Sequence, residues 1–472
     1  MKTTSVTTLS AIALACSMLA GCGGGGDSTP PSEPPDPGPT SYTVTPSISG
    51  SGGSISPATA VAVPAGGGTS FSLSPNSGYT LSGVGGTCGG TLSGTTYTTK
   101  PVTANCTVVA TFALQGTGGG STGTGGGSSG GSVVDYSGYW VTTIAGNWDI
   151  LSSVDGQGTS GTFASTYGIA LGPDGSVYVA DDRKVRRVAP NGMVSTVAGT
   201  DESVRCDNGK SCDGPCSSAS FGGPTDVAVD ASGNVYVVDY FDHSIRKISN
   251  PVTSACTVST LAGSDKFRYR IEGSDNGGEY IPTSLTIDPS GNVYAATSDG
   301  FVIKVTPAGA VTALAGTPKL GYGYADGPGL SAQFGSLWGI ALDAQGNLYV
   351  GDGDPDHTRI RKITPSGMVS TLTGGAIGYA DGTGTSAAFN NILGMRTDAA
   401  GNLYVTDNGN RAIRKVTPAG VVTTIIKDGP GSYGPDGPLS RASLFSPWGI
   451  ALDASGTIYF SDYSRIRKIA KP

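Results

Sequence analysis

One unit recurs six times along the C-terminal two-thirds of the chain, and its most literal copies are WGIALDAQGNLYVGD at 338–352 and WGIALDASGTIYFSD at 448–462. The aligned tyrosines Tyr178, Tyr236, Tyr294, Tyr349, Tyr404 and Tyr459 stand 58, 58, 55, 55 and 55 residues apart. A period of that length, built from short Val/Ile/Leu/Tyr runs cut by Gly turns, describes a propeller blade and not a helical solenoid. In the fourth copy the pattern predicts an inner strand at 340–343, a second at 348–352, a third at 359–364 and a fourth at 369–374.

The last copy ends at RIRKIAKP and lacks its fourth strand. That strand stands at the front of the region: WVTTIAG at 140–146 matches MVSTVAG at 193–199 and TVSTLAG at 257–263. Pairing it with the last third strand completes six blades and removes the open edge that an unclosed array would expose. The fold class is all-β: a six-bladed β-propeller closed by an N-terminal strand, plus a small N-terminal β domain.

The motifs GIALD, GNLYV and IRKIT, each approached through an Asp-Gly loop, resemble the NHL-repeat family over residues 138–472. Upstream, GGSISP, PNSGYTLSGV and NCTVVATF at 41–115 resemble a divergent bacterial repeat domain related to internalin B-repeats, a small β module of surface proteins. That resemblance implies spacing or adhesion and no chemistry. Residues 23–40 and 116–137 are Gly-, Ser- and Pro-rich and read as a tether and a linker.

Residues 1–22 carry Lys2, an apolar stretch and then Leu19-Ala20-Gly21-Cys22, an export signal whose end resembles a lipobox. The resemblance implies a lipid on Cys22 and, because Gly23 follows, sorting to the outer membrane of a Gram-negative cell. The expected location is therefore the cell envelope, lipid-anchored. In an oxidising compartment six cysteines remain to pair. Cys88 and Cys106 stand alone in the small domain and should bond to each other. The pairing of Cys206, Cys212, Cys216 and Cys256 stays open, and their spacing lacks the two CxxC-type pairs of a zinc site.

A net charge of -7 and the absence of any Lys/Arg cluster longer than three exclude nucleic acid as a partner. The expected partner is a protein or glycan of the envelope, bound by a monomer. Connections between blades share a face with the loops between second and third strands, and these long, variable segments make that face the candidate binding surface. The inner strands begin there with Tyr167, Thr225-Asp226, Thr283-Ser284, Trp338, Leu393 and Trp448. Two tryptophans and a tyrosine around one opening either stack on a sugar or peptide or cap interblade packing.

Arg396 stands where the other inner strands carry Ala170, Ala228, Thr286, Ala341 and Ala451. Near the axis an unpaired guanidinium costs several kcal/mol. It therefore meets a carboxylate in a structural ion pair, or reaches the channel and holds an anion. Asp352, Asp354 and Asp356 resemble the first half of an EF-hand loop, which implies a weak calcium site; His357 replaces the required glycine and no glutamate closes the loop. The Asp-Gly pairs at Asp155, Asp213, Asp326, Asp381 and Asp436 recur too regularly for a ligand site and read as a repeated Asx-type turn. The phenylalanines that follow, Phe163, Phe221, Phe334 and Phe389, read as plugs, and His243 and His357 as solvated loop residues.

The expected function is a binding or scaffolding module without catalytic residues or cofactor, calcium aside. The alternative is an enzyme, since related propellers include metal-dependent lactonases and lyases. Against it, the propeller holds only Glu202, Glu272 and Glu279, and the inner-strand starts supply one carboxylate, Asp226.

Overall fold

The computed structural model describes residues 41–49, 53–76, 79–114, 136–200, 206, 211–263, 267–269, 278–317, 323–427 and 434–472. The signal segment, Cys22, Glu202, Glu272 and both Gly-rich stretches except Tyr136 and Ser137 lie outside them. The chain divides into two compact units between residues 133 and 134.

In the first unit, alternation of apolar and polar residues builds two four-stranded sheets. Their inward faces bury Val44, Ile55, Phe71, Leu73, Tyr97, Val108 and Phe112 in one core. The disulfide Cys88–Cys106 staples it as expected.

The second unit is the six-bladed ring. The inner strands Thr166–Leu171, Pro224–Val229, Pro282–Ile287, Ser336–Leu342, Ile392–Thr397 and Pro447–Leu452 each pack on the next, and the last packs on the first. Blade 6 is completed from the other end of the chain: Trp140–Gly146 pairs antiparallel with Arg465–Ala470, from Arg465 opposite Gly146 to Ala470 opposite Trp140. Inner strands start earlier than the apolar run suggests, at Ser336 and not 340 in blade 4, because a β-bulge between Leu337 and Ile340 continues the pairing past Trp338-Gly339.

The tyrosine that marks the period holds the turn before it. In blade 4 the Asp343 carboxylate accepts from the Gln345 and Asn347 amides at 2.9 and 2.8 Å, from Asn347 Nδ2 at 2.7 Å and from the Tyr349 hydroxyl at 3.0 Å. Burial opposes its ionisation, but these donors outweigh burial and hold the carboxyl below the usual range.

The Asp-Gly loops are more than Asx turns. In the third strand IRK alternates faces, and because a blade is packed on both faces the arginine is buried while the lysine lies over the tyrosine, as Lys362 does over Tyr349 at 5.6 Å. Arg186, Arg246, Arg361, Arg414 and Arg467 are at most 1% exposed. Each pairs with the second-strand aspartate of its own blade (Asp181, Asp239, Asp352, Asp407, Asp462) at 2.5–3.2 Å. Each also pairs with the loop aspartate (Asp155, Asp213, Asp326, Asp381, Asp436) at 2.7–3.0 Å. The loop aspartate in turn accepts from an outer-strand threonine hydroxyl. Phe163, Phe221, Phe334 and Phe389 lie buried under the guanidinium planes at 4.8–5.5 Å. A two-residue strand of each such loop covers the blade's outer edge.

Blade 3 departs from this in a matched way. Ile303 replaces the arginine and Thr297 the aspartate, so both members of the buried pair are exchanged together, and its sheet has four strands. The neighbouring blade 2 carries the disulfides Cys206–Cys212 and Cys216–Cys256.

Removing one member of a buried pair strands its partner at a cost of about 3–5 kcal/mol. Arg414→Ile is therefore expected to lose that much in urea unfolding, and adding Asp407→Thr, which copies blade 3, to recover most of it; equal losses in both variants would contradict the clamp. Asp343 supplies a pH signature. Its pKa is depressed, so its contribution is present at neutral pH and is lost as pH falls through the folded value, beneath the ordinary carboxylate range. Asp343→Asn should lower the melting temperature at pH 7 and match wild type at lower pH, whereas a gap that persists in acid would refute this.

Candidate functional site

The bulge at the start of each inner strand takes Tyr167, Thr225, Thr283, Trp338, Leu393 and Trp448 out of the ladder at the channel mouth. Four of the residues that follow are glycines, and a side chain there would meet the neighbouring blade. A Cβ on Gly168 would lie 1.9 Å from Asp226 Oδ1, and one on Gly394 would lie 2.3 Å from the Trp448 carbonyl oxygen. Hydroxyls from neighbouring blades fix the mouth: Ser461 Oγ donates to the Tyr167 carbonyl at 2.6 Å, Thr406 Oγ1 to that of Trp448 at 2.6 Å and Thr283 Oγ1 to that of Leu337 at 2.7 Å.

The predicted aromatics converge. Tyr167 and Trp448 meet edge-on at 5.0 Å between ring centroids, and Trp448 meets Trp338 at 6.3 Å. Two residues that the sequence reading missed extend the array: Tyr240 stacks on Trp338 at 6.0 Å and 28°, and Phe241, 69% exposed, packs on Tyr240 at 5.5 Å. Both lie in the 3-10 turn Tyr240–Asp242 that follows blade 2's second strand. Their signal was visible, since blade 5 carries Asn408-Gly409 at the same place.

Trp338 also walls a cleft of about 270 Å³ between blades 4 and 5. Asp354, Thr358, Asn390 and Asn391 supply its polar lining and Ile377 and Ile392 its apolar lining. Asn391 stands at φ 63°, and neither asparagine side chain bonds to a described residue. Asp354 accepts from His357 Nδ1 at 3.0 Å and Arg359 Nη1 at 3.1 Å. Burial disfavours its charge, but the Asp356 amide, the His357 ring and Arg359 overcome this and keep the carboxyl below its ordinary value.

The remaining predicted residues separate. Asp226 is 7% exposed, and its carboxylate accepts from Ser284 Oγ at 2.6 Å and from the Leu285 and Val227 amides at 3.0 and 2.9 Å. Burial pushes its pKa up against the pull of nearby Arg396 and these donors. Arg396 lies deeper, across the axis. Its Nη1 donates to the Met395 carbonyl at 2.9 Å and its Nη2 to those of Ile169 and Val227 at 3.3 and 3.4 Å, with no ion pair to a described residue. The structural ion pair weighed for it is therefore absent among the described residues. Asp352, Asp354 and Asp356 are not brought together as ligands: Asp352 is the buried partner of Arg361, and Asp354 is tied to His357 and Arg359. Among the described residues, no group of three or more His, Cys, Asp or Glu is placed to hold a metal ion.

Residues 193–379 match the family model of the teneurin NHL domain. The chain is 27% identical to teneurin-3 of Danio rerio over 299 residues, 54% of this chain and 11% of that protein. It is 27% identical to teneurin-4 of Homo sapiens over 302 residues, 53% and 10% respectively. The chain thus spans about a tenth of the length of these relatives. Among solved structures, a structural genomics protein of unknown function from Bacteroides thetaiotaomicron is similar with a TM-score of 0.54 and 17% identity, over 92% of this chain and 99% of that one. An auxiliary nutrient binding protein from Bacteroides ovatus is similar with a TM-score of 0.50 and 18% identity, over the same shares. These structural likenesses show the fold.

Gly168→Ala drives a methyl group into Asp226 and is expected to cost about 1–3 kcal/mol in denaturant unfolding. A variant as stable as wild type would show that the mouth is not packed this tightly.

Proposed function

We propose that the NHL-repeat β-propeller of this chain is a binding module for a glycan of the cell envelope, held at the channel mouth and in the cleft beside Trp338. The observation that carries the reading is the continuous run of rings from Tyr167 through Trp448, Trp338 and Tyr240 to exposed Phe241, bordering a cleft with two uncommitted asparagine amides. Aromatic faces pack on the apolar faces of sugar rings while amides bond to hydroxyls, the pairing of apolar wall and few polar groups that marks ligand sites. A peptide strand added to a blade is less favoured, because a short strand already covers the outer edge of five propeller sheets.

The chemistry at the mouth favours binding over hydrolysis or lyase activity. Among the described residues, the one carboxylate at the inner-strand starts, Asp226, is buried and engaged by three donors, so it lacks the access that a general base needs. The lipid on Cys22, location in the outer membrane and a spacer role for the small domain complete the proposal, and they rest on the sequence motifs.

The test is retention of the full chain on immobilised envelope glycans. Trp338→Ala is expected to weaken retention about tenfold, worth about 1.4 kcal/mol, with an unchanged melting temperature. Undiminished retention by that variant, or none by wild type, would overturn the assignment.

A further inference from the structure

Arg396 divides the channel into two compartments. Toward the mouth, Asp226, Ser284, Gly394 and Gly449 leave a space of about 10 Å³, no more than one water's worth. On the far side, the ends of five inner strands line a separate cavity of about 230 Å³ that opens to solvent. Its wall is formed by Leu171, Val229, Ile287 and Leu452 with the Thr286 hydroxyl, and Arg396 is the single charged side chain lining it.

Described residues take up only part of that guanidinium's bonding capacity. It offers five N–H donors, and its described partners are three neutral carbonyls, two of them at 3.3 and 3.4 Å. The nearby carboxylate, Asp226, is committed to three other donors. Half-buried Arg396 stands in that wall among aliphatic side chains, Thr286 and Thr397, a lining that suits an anion with a short apolar body. The planar fork matches a carboxylate, and the cavity has room for a small organic acid.

We propose that the cavity is a binding site for a small organic monocarboxylate with a short aliphatic tail, its carboxylate on Arg396 and its tail against Leu171, Val229, Ile287 and Leu452. The site is independent of the glycan surface, which lies on the opposite face. The Thr286 hydroxyl, which bonds to no described residue, supplies a second donor in the same wall.

Butyrate is the probe, titrated calorimetrically into the full chain, with butyramide and n-butylamine as uncharged and cationic matches. Wild type is expected to bind butyrate saturably and neither analogue, Arg396→Gln to bind it about tenfold or more weakly, and Trp338→Ala to bind it as wild type does. Binding of butyramide equal to that of butyrate, undiminished binding by a folded Arg396→Gln, or no saturable binding by wild type up to millimolar butyrate would each overturn the proposal. Because the analogue comparison uses wild type alone, it decides the matter even if Arg396→Gln does not fold.

Discussion

Everything the C-terminal unit presents depends on one antiparallel pairing, Trp140–Gly146 against Arg465–Ala470. It joins the two ends of the unit across more than three hundred residues, and without it blade 6 would keep three strands and an apolar face in water. The electrostatics reinforce the same seam. Asp436 receives Arg467 from the C-terminal strand and both the Thr143 amide and hydroxyl from the N-terminal one, so a single carboxylate ties both ends of the ring.

Repeated in five blades, that arrangement explains why the chain keeps charges in its interior. A buried ion pair adds little net stability over an apolar replacement, and blade 3 shows the replacement with Ile303 and Thr297. What the charged version adds is geometric: one guanidinium orients the second strand, the third strand and the incoming loop together. Those loops position the bulged strand starts, and the bulges aim Tyr167, Trp338 and Trp448 at one opening. The site is thus a consequence of how the loops are anchored.

Much of this was legible in the sequence. The tyrosine period, the displaced WVTTIAG strand, the Cys88–Cys106 pair and the phenylalanine plugs all follow from features that repeat or stand alone. The clamp was not legible as an ion network, because IRK in an alternating strand reads as outward-pointing charge unless both blade faces are known to be packed. Arg396 stood out by contrast with alanine, but two of its three carbonyl partners come from blades 1 and 2 and depend on where six strands meet. Tyr240 and Phe241 were passed over because loops between strands carry no periodicity, although an aromatic pair among small polar equivalents was there to notice.

Circular closure is tested most directly by native-state amide hydrogen exchange of the full chain. The account predicts that amides in Trp140–Gly146 that pair with Arg465–Ala470 exchange as slowly as those of their partner strand, through the same global opening. Exchange of the 140–146 segment orders of magnitude faster than that of 465–470 would show that the ring is not closed by this strand.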